Sequence, residues 1–261
     1  MVGKLLAAVC CDMGLGRKHN QDNFFMDGKY KKLSELDENI LLSSAPLNEG
    51  IFAICDGMGG TSQGGTAAYI AVKSLKLLSA EISATPLVDA ELRNWIAVSN
   101  SIICAEIEKQ NCSMGTTAVA AAIKGSTATI ISIGDSRAYL FRSGTLTQLS
   151  EDDTELQYIK DNGAAFEMGA PINENKLTQH IGIDPEEFSI VPHLRQLELH
   201  PRDFLLLCSD GLSHALADAS ICRILKDFSS PLEGAEQLVR EALEAGGKDN
   251  ITAMLIEYFT H

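Results

Sequence analysis

The chain has 261 residues, 45% of them apolar and 21% charged, with a net charge of −14. Those values suit one large domain or two small ones with a substantial core, and the acidic excess argues against nucleic acid as a partner, because phosphate backbones need a basic face. No segment is long and apolar enough to span a bilayer, and seven cysteines, several inside apolar runs, fit free thiols in a reducing cytoplasm better than a disulfide framework.

Residues 4–11, KLLAAVCC, form a candidate strand that ends in the turn DMGLG. A dense polar run, RKHNQDN, leads into Phe24, Phe25 and Met26, a second strand. Residues 27–50 read as a strand extension and a variable loop, with Leu41 and Leu42 as their only apolar pair. IFAIC, residues 51–55, is short, apolar and closed by turn residues, as a buried strand would be. Asp56, Gly57, Met58, Gly59 and Gly60 follow as a loop whose glycines permit a sharp turn and a close approach. Alone, this stretch fits either a metal-holding loop or a tight turn whose Asp caps the next helix.

Helical spacing over 61–82 places Ala67, Ala68, Ile70, Ala71, Leu75 and Leu78 on one face. Pro86 opens a second helix over about 87–109, with Trp95 in the core. A β-meander follows over 115–123, 127–133, 138–141 and 145–149, with the corner Gly134-Asp135-Ser136-Arg137 inside it. Residues 151–162 suggest a short acidic helix, 163–179 a flap or mobile loop, and 188–199 a weakly alternating strand. DFLLLC, residues 203–208, is a buried strand ending in Ser209-Asp210-Gly211. Helices over 217–227 and 231–245 and the turn GGKDN precede a last strand over 251–258. With no internal repeat and no linker, residues 1–261 are expected to form a single domain.

Five aspartates, Asp22, Asp56, Asp135, Asp210 and Asp249, stand where buried strands enter or leave the core. In a sheet-based fold such ends can converge on one edge. Clustered carboxylates repel, and their pKa values rise unless a cation neutralises them. Hard ions such as Mg²⁺ or Mn²⁺ take oxygen donors. One carboxylate bridging two such ions is the pattern of a two-metal hydrolase. The competing reading is five unrelated turn aspartates.

The segments GLGRKHNQD, AICDGMGG, MGTTAVAA, IGDSRAYLFRSGTLTQLSEDD, LTQHIG, DFLLLCSDGL and GGKDNITAMLI, in this order, resemble the metal-dependent protein phosphatases of the PPM or type 2C family in their compact bacterial form. The resemblance implies an α+β fold, a four-layer αββα sandwich of two antiparallel β-sheets flanked by helix pairs, with a flap near residues 160–182. It implies hydrolysis of phosphoserine and phosphothreonine in proteins by water activated by two or three Mn²⁺ or Mg²⁺ ions, two in the core and a weaker third. Asp56 matches the aspartate bridging the core ions, Gly57 a carbonyl ligand, Asp210 and Asp249 the other direct ligands, and Asp22 an acid that holds metal-bound water. Arg17 matches the phosphate-gripping arginine, and Asp135 with Asp210 the third-metal site. Thr116 and Thr117 match small structural residues beneath the site. Phosphorylated proteins, including a Ser/Thr kinase or its targets, are the implied partners, with neither nucleic acid nor membrane.

The chain departs from the family pattern at Gln21, at Asp153 (where His is frequent) and at Gln179 (where Arg is frequent). Met58 occupies the position of a proposed general acid of animal members, which leaves proton delivery open, with His19 as a possible donor. Gln21, Asp153 and Gln179 motivate an alternative, a catalytically weak regulatory or binding module on the same fold. A two-metal nuclease is the third reading, opposed by the acidic balance.

Overall fold

Period-two burial decides the architecture. In strand β4 (Glu49–Gly59), Phe52 and Ile54 join one buried cluster while Ile51, Ala53 and Cys55 join another. Strand β12 (Ile251–Thr260) likewise sends Met254, Ile256 and Tyr258 to one side and Ile251, Ala253 and Leu255 to the other. A strand buried on both faces must lie between apolar layers, so each sheet needs a second sheet inside and helices outside. The structure, a computed structural model, describes residues 3–59, 63–162 and 176–260 and has this arrangement.

The first sheet has the order β3 (Ile40–Ser43), β1 (Gly3–Asp12), β12, β11 (Asp203–Cys208), β8 (Arg137–Arg142), β9 (Thr145–Gln148). The second runs β10 (His193–Glu198), β7 (Thr127–Ile133), β6 (Ala118–Lys124), β4, β2 (Asp22–Met26), with β5 (Met114–Thr116) also on β4. All pairings are antiparallel. Helices α1 (Gln63–Ala84) and α2 (Val88–Gln110) cover the second sheet, where Ala118, Ala120 and Ala122 of β6 let them approach. Trp95 is wholly buried in that layer, its indole N–H donating to the Ala71 carbonyl at 2.9 Å. Helices α4 (Asp210–Ala215), α5 (Asp218–Ile224) and α6 (Pro231–Glu244) cover the first sheet, and α3 (Glu155–Asn162) follows β9. None of the described helices is long and apolar enough to cross a membrane.

Several local expectations change. The DGMGG stretch is not a loop up to Gly59: β4 continues through it and pairs with β5, Gly57 opposite Thr116 and Gly59 opposite Met114. Gly60 and most of the expected flap, residues 163–175, lie outside the described residues. β3 arises where a variable loop is expected, because Leu42 pairs opposite Val9 and is half-buried on the inter-sheet core. The helix expected from 151 starts only at Glu155, since the Asp153 N–H donates to the Gly134 carbonyl (2.9 Å) and Thr154 bridges to Leu177. β10 starts at His193 because the Val191 N–H is taken by the Gln179 side chain at 2.8 Å.

Candidate active site

Strand register brings the first two acids together. β2 pairs with β4 so that Asp22 lies opposite Asp56. β5 and β6 keep one register along β4 on either side of Thr117, so a single strand expected there is interrupted at that residue alone. At the interruption the Thr117 hydroxyl accepts the Asp56 N–H at 3.1 Å, and the Thr117 N–H donates to the Asp56 carbonyl at 2.9 Å. The Thr116 hydroxyl adds a second donor to that carbonyl at 2.9 Å. The two threonines therefore fix the Asp56 backbone from beneath. Gly57 is required where α1 meets this strand: a Cβ there would sit 2.0 Å from the Gly64 carbonyl oxygen.

Asp22 is fully buried, and its Oδ2 accepts from the Ser209 hydroxyl (2.7 Å) and the Thr252 hydroxyl (2.6 Å). Those donors come from the ends of β11 and β12, so Asp22 ties the two sheets together beneath the site. Asp210 follows Ser209 at the start of α4. Asp249 follows the turn Gly246-Gly247, both at positive φ. Arg17 is held against it, its guanidinium 2.6 Å from Asp249 Oδ2. Gly14, at φ +75°, allows that contact between loops, since a Cβ there would meet the Asp249 carbonyl oxygen at 2.0 Å. Asn250 locks the same loop. Its Oδ1 accepts the Gln21 N–H (2.8 Å), and its Nδ2 donates to the Met13 and His19 carbonyls (2.8 and 3.0 Å).

One cavity of about 400 Å³ is lined by Arg17, Asp56, Gly57, Asp135, Asp210 and Asp249 together. Asp22 is the one predicted site residue outside its lining; it stands behind Asp56 in the core. Met58 lines the cavity as expected, and His180 and Lys176 join it. His19 instead faces Asp37 at 3.1 Å and is not among the lining residues, so it does not fill the proton-donor role raised for it. Residues the sequence reading passed over are Asn250, His180 and His214. Asn250 and His180 sit inside the segments GGKDNITAMLI and LTQHIG, which locate them without giving their roles.

The electrostatics of this cavity favour a cation. Burial, and then the charges of Asp22, Asp210, Asp135 and Asp249, push the Asp56 carboxyl well above the usual range. Burial, only partly offset by its two hydroxyl donors, raises Asp22 to about 6. Burial and the Asp210 charge raise Asp135 to about 7. Burial also acts upward on Asp210, but the His214 ring, a hydrogen bond with the Asp56 carboxyl and the Arg17 charge together outweigh it and leave that carboxyl below its ordinary value. Among the described residues, Asp22 Oδ1 and Asp210 Oδ1 are buried and have no hydrogen-bond partner. Orphaned, crowded carboxylate oxygens fit hard divalent ions, which take such donors and keep several waters. Asp56, Asp210, Asp249 and Asp135, which line the cavity together, are the residues that could hold them.

The two departures Asp153 and Gln179 meet in space. Asp153 Oδ1 accepts from Gln179 Nε2 at 2.9 Å and lies 2.9 Å from His193 Nε2, while Oδ2 accepts the Gly134 N–H at 2.9 Å. They are partners in one network that braces the corner carrying Asp135, which removes them as an argument for a degraded site.

Comparison with known proteins places these features in context. The protein phosphatase 2C family model matches residues 12–251. The serine/threonine phosphatase stp of Listeria welshimeri is 32% identical over 257 residues, covering 94% of this chain and 93% of that one. The serine/threonine protein phosphatase PstP of Mycobacterium tuberculosis is 30% identical over 248 residues; the match covers 94% of this chain but only 43% of PstP. The crystal structure of the PstP catalytic domain in complex with two manganese ions superposes with a TM-score of 0.77 at 29% identity, covering 98% of this chain and all of that one.

Proposed function

The chain belongs to the protein phosphatase 2C family, and from that premise we propose that it hydrolyses phosphoserine and phosphothreonine in proteins with Mn²⁺ or Mg²⁺ as cofactor, as one catalytic domain. The carrying observation is the convergence of Asp56, Asp135, Asp210, Asp249 and Arg17 on one cavity, backed by Asp22. Pairing of β1 with β12 joins the two ends of the chain in one sheet and supports the single-domain reading. A Ser/Thr kinase or its targets are the proposed substrates, in keeping with relatives named as serine/threonine phosphatases.

Bound divalent ions would supply charge stabilisation on phosphoryl oxygens and a water acidified to near neutrality. The rest of the chemistry falls to the chain. Asp56, its backbone fixed by Thr116 and Thr117, would hold the ions together with the Gly57 carbonyl, Asp210 and Asp249. Asp22, buried behind Asp56, would hold water associated with the ions. Arg17, half-exposed and paired to Asp249, is placed to turn its planar fork onto a phosphate once Asp249 has a cation partner. His180 is assigned delivery of the proton to the departing serine or threonine oxygen, since Met58 carries none.

Asp210→Ala removes one ligand without touching Arg17. It is expected to abolish Mn²⁺-dependent release of phosphate from a phosphothreonine peptide; wild-type turnover by that variant would overturn the assignment.

A further inference from the structure

Beside the cavity, the corner between β7 and β8 and the short helix α4 bring together a mixed donor set. Carboxylate oxygens of Asp135 and Asp210 and a ring nitrogen of His214 all lie within 4.8 Å of one another. His214 Nδ1 is already 3.3 Å from Asp210 Oδ2. Two donors on one ion, each at about 2.1 Å, are about 3–4 Å apart, so small side-chain rotations close the set.

Each member has spare capacity. Asp135 is only 7% exposed, and among the described residues its carboxylate bonds to nothing but its own backbone. Asp210 Oδ1 is buried without a partner. The neighbouring guanidinium does not serve them: Arg137 contacts Asp152 at 3.0, 3.0 and 2.6 Å and gives its remaining arm to Tyr139 at 3.0 Å. A buried carboxylate with no countercharge is costly, so this corner calls for a cation. α4 puts His214 four residues after Asp210, on the same helical face, where its ring is 44% exposed and reachable from solvent. An imidazole changes what the corner selects, because nitrogen donors suit transition-metal ions whereas Mg²⁺ wants oxygen alone.

We propose that His214 is a nitrogen ligand at the third-metal position that the family resemblance gives to Asp135 and Asp210, and that it makes this position selective for transition-metal ions over Mg²⁺. This rests on the metal-dependent reading of the cavity and adds a ligand and a preference to it. The test uses the full chain with Mn²⁺ and Mg²⁺ as probes, in wild type, His214→Gln and His214→Asp. Pulsed electron paramagnetic resonance of the Mn²⁺-loaded protein should show a histidine ¹⁴N coupling at the weakest-binding step, absent from both variants. By calorimetry, His214→Gln should bind Mn²⁺ about tenfold or more weakly at that step, the scale of losing a partner in a metal site. His214→Asp should retain binding but let Mg²⁺ displace Mn²⁺ where wild type resists it. No ¹⁴N coupling in wild type, its persistence in both variants, or equal displacement by Mg²⁺ from wild type and His214→Asp would each overturn the proposal. Phosphopeptide hydrolysis by the same wild-type sample separates the cases: turnover without ¹⁴N coupling rejects the ligand and leaves the phosphatase reading standing.

Discussion

At the scale of single residues, the open chemical question is the proton. Thr116 and Ile181 exchange two backbone hydrogen bonds of 2.9 Å, which fixes the chain beside His180. His180 Nδ1 lies 3.1 Å from the Ile181 carbonyl. A carbonyl can only accept, so Nδ1 carries the hydrogen and Nε2 is the nitrogen that exchanges protons. Among the described residues, His180 is the only imidazole lining the cavity. Proton delivery matters for an alkyl leaving group such as serine, and little for an aryl phosphate whose phenolate leaves unaided. His180→Gln should therefore lower kcat on a phosphoserine peptide about 100-fold, the lower range for general acid catalysis, while kcat for p-nitrophenyl phosphate stays within a factor of about three. Equal losses on both substrates would assign His180 to structure instead.

At the scale of elements, the site depends on one break in one strand. Were Thr117 an ordinary ladder residue, its carbonyl would face Asp56; instead its hydroxyl takes the Asp56 N–H and also meets the Ser136 hydroxyl at 2.6 Å. That contact links β4, the β5–β6 break and the corner carrying Asp135. Thr117→Val keeps the shape and removes the acceptor, leaving a partly buried amide unpaired at a cost of about 1–3 kcal/mol. Denaturant unfolding should show that loss, and Mn²⁺ affinity should fall with it; Thr117→Ser should restore both. Unchanged stability in Thr117→Val would mean that the hydroxyl is dispensable. The same break shows what sequence makes visible. Short continuous apolar runs identify most of the strands, and Asp22, Asp56, Asp135, Asp210 and Asp249 stand out because they border such runs. The continuation of β4 through DGMG is hidden, since glycines signal a turn unless a helix needs their missing Cβ atoms. Asn250 is hidden for another reason: its role comes from partners far along the chain, its bonds to Met13 and His19, and no local period records them. The Asp153–Gln179 partnership spans 26 residues and is equally invisible before folding.

At the scale of the whole molecule, the two sheets close on a cluster of acids that the fold alone does not neutralise, so stability and metal binding are coupled through pH. Asp22 is raised to about 6 and Asp135 to about 7, both from an ordinary value of 3.8, chiefly by burial. A carboxyl whose folded pKa is raised holds its proton in the folded state after the unfolded chain has released it. Its stabilising contribution is complete below about pH 3.8 and is lost as pH rises through about 6 for Asp22 and about 7 for Asp135. Asp210, shifted the other way, changes only below its ordinary value and so lies outside that window. At about 1.4 kcal/mol per pKa unit, Asp22 alone accounts for a few kcal/mol. With the protein held in chelator, Tm should therefore decline between about pH 4 and pH 7.5. Saturating Mn²⁺ should reverse the slope, because ligands must shed protons to bind a cation, and at a hundredfold excess over Kd binding adds about 2.7 kcal/mol. Thermal melts across this range with and without Mn²⁺ make the comparison, with Asp22→Asn, which cannot ionise, flattening the chelator curve. Parallel curves with and without the ion would show that these carboxylates are neutralised by the protein itself, and the electrostatic case for a metal centre would fail.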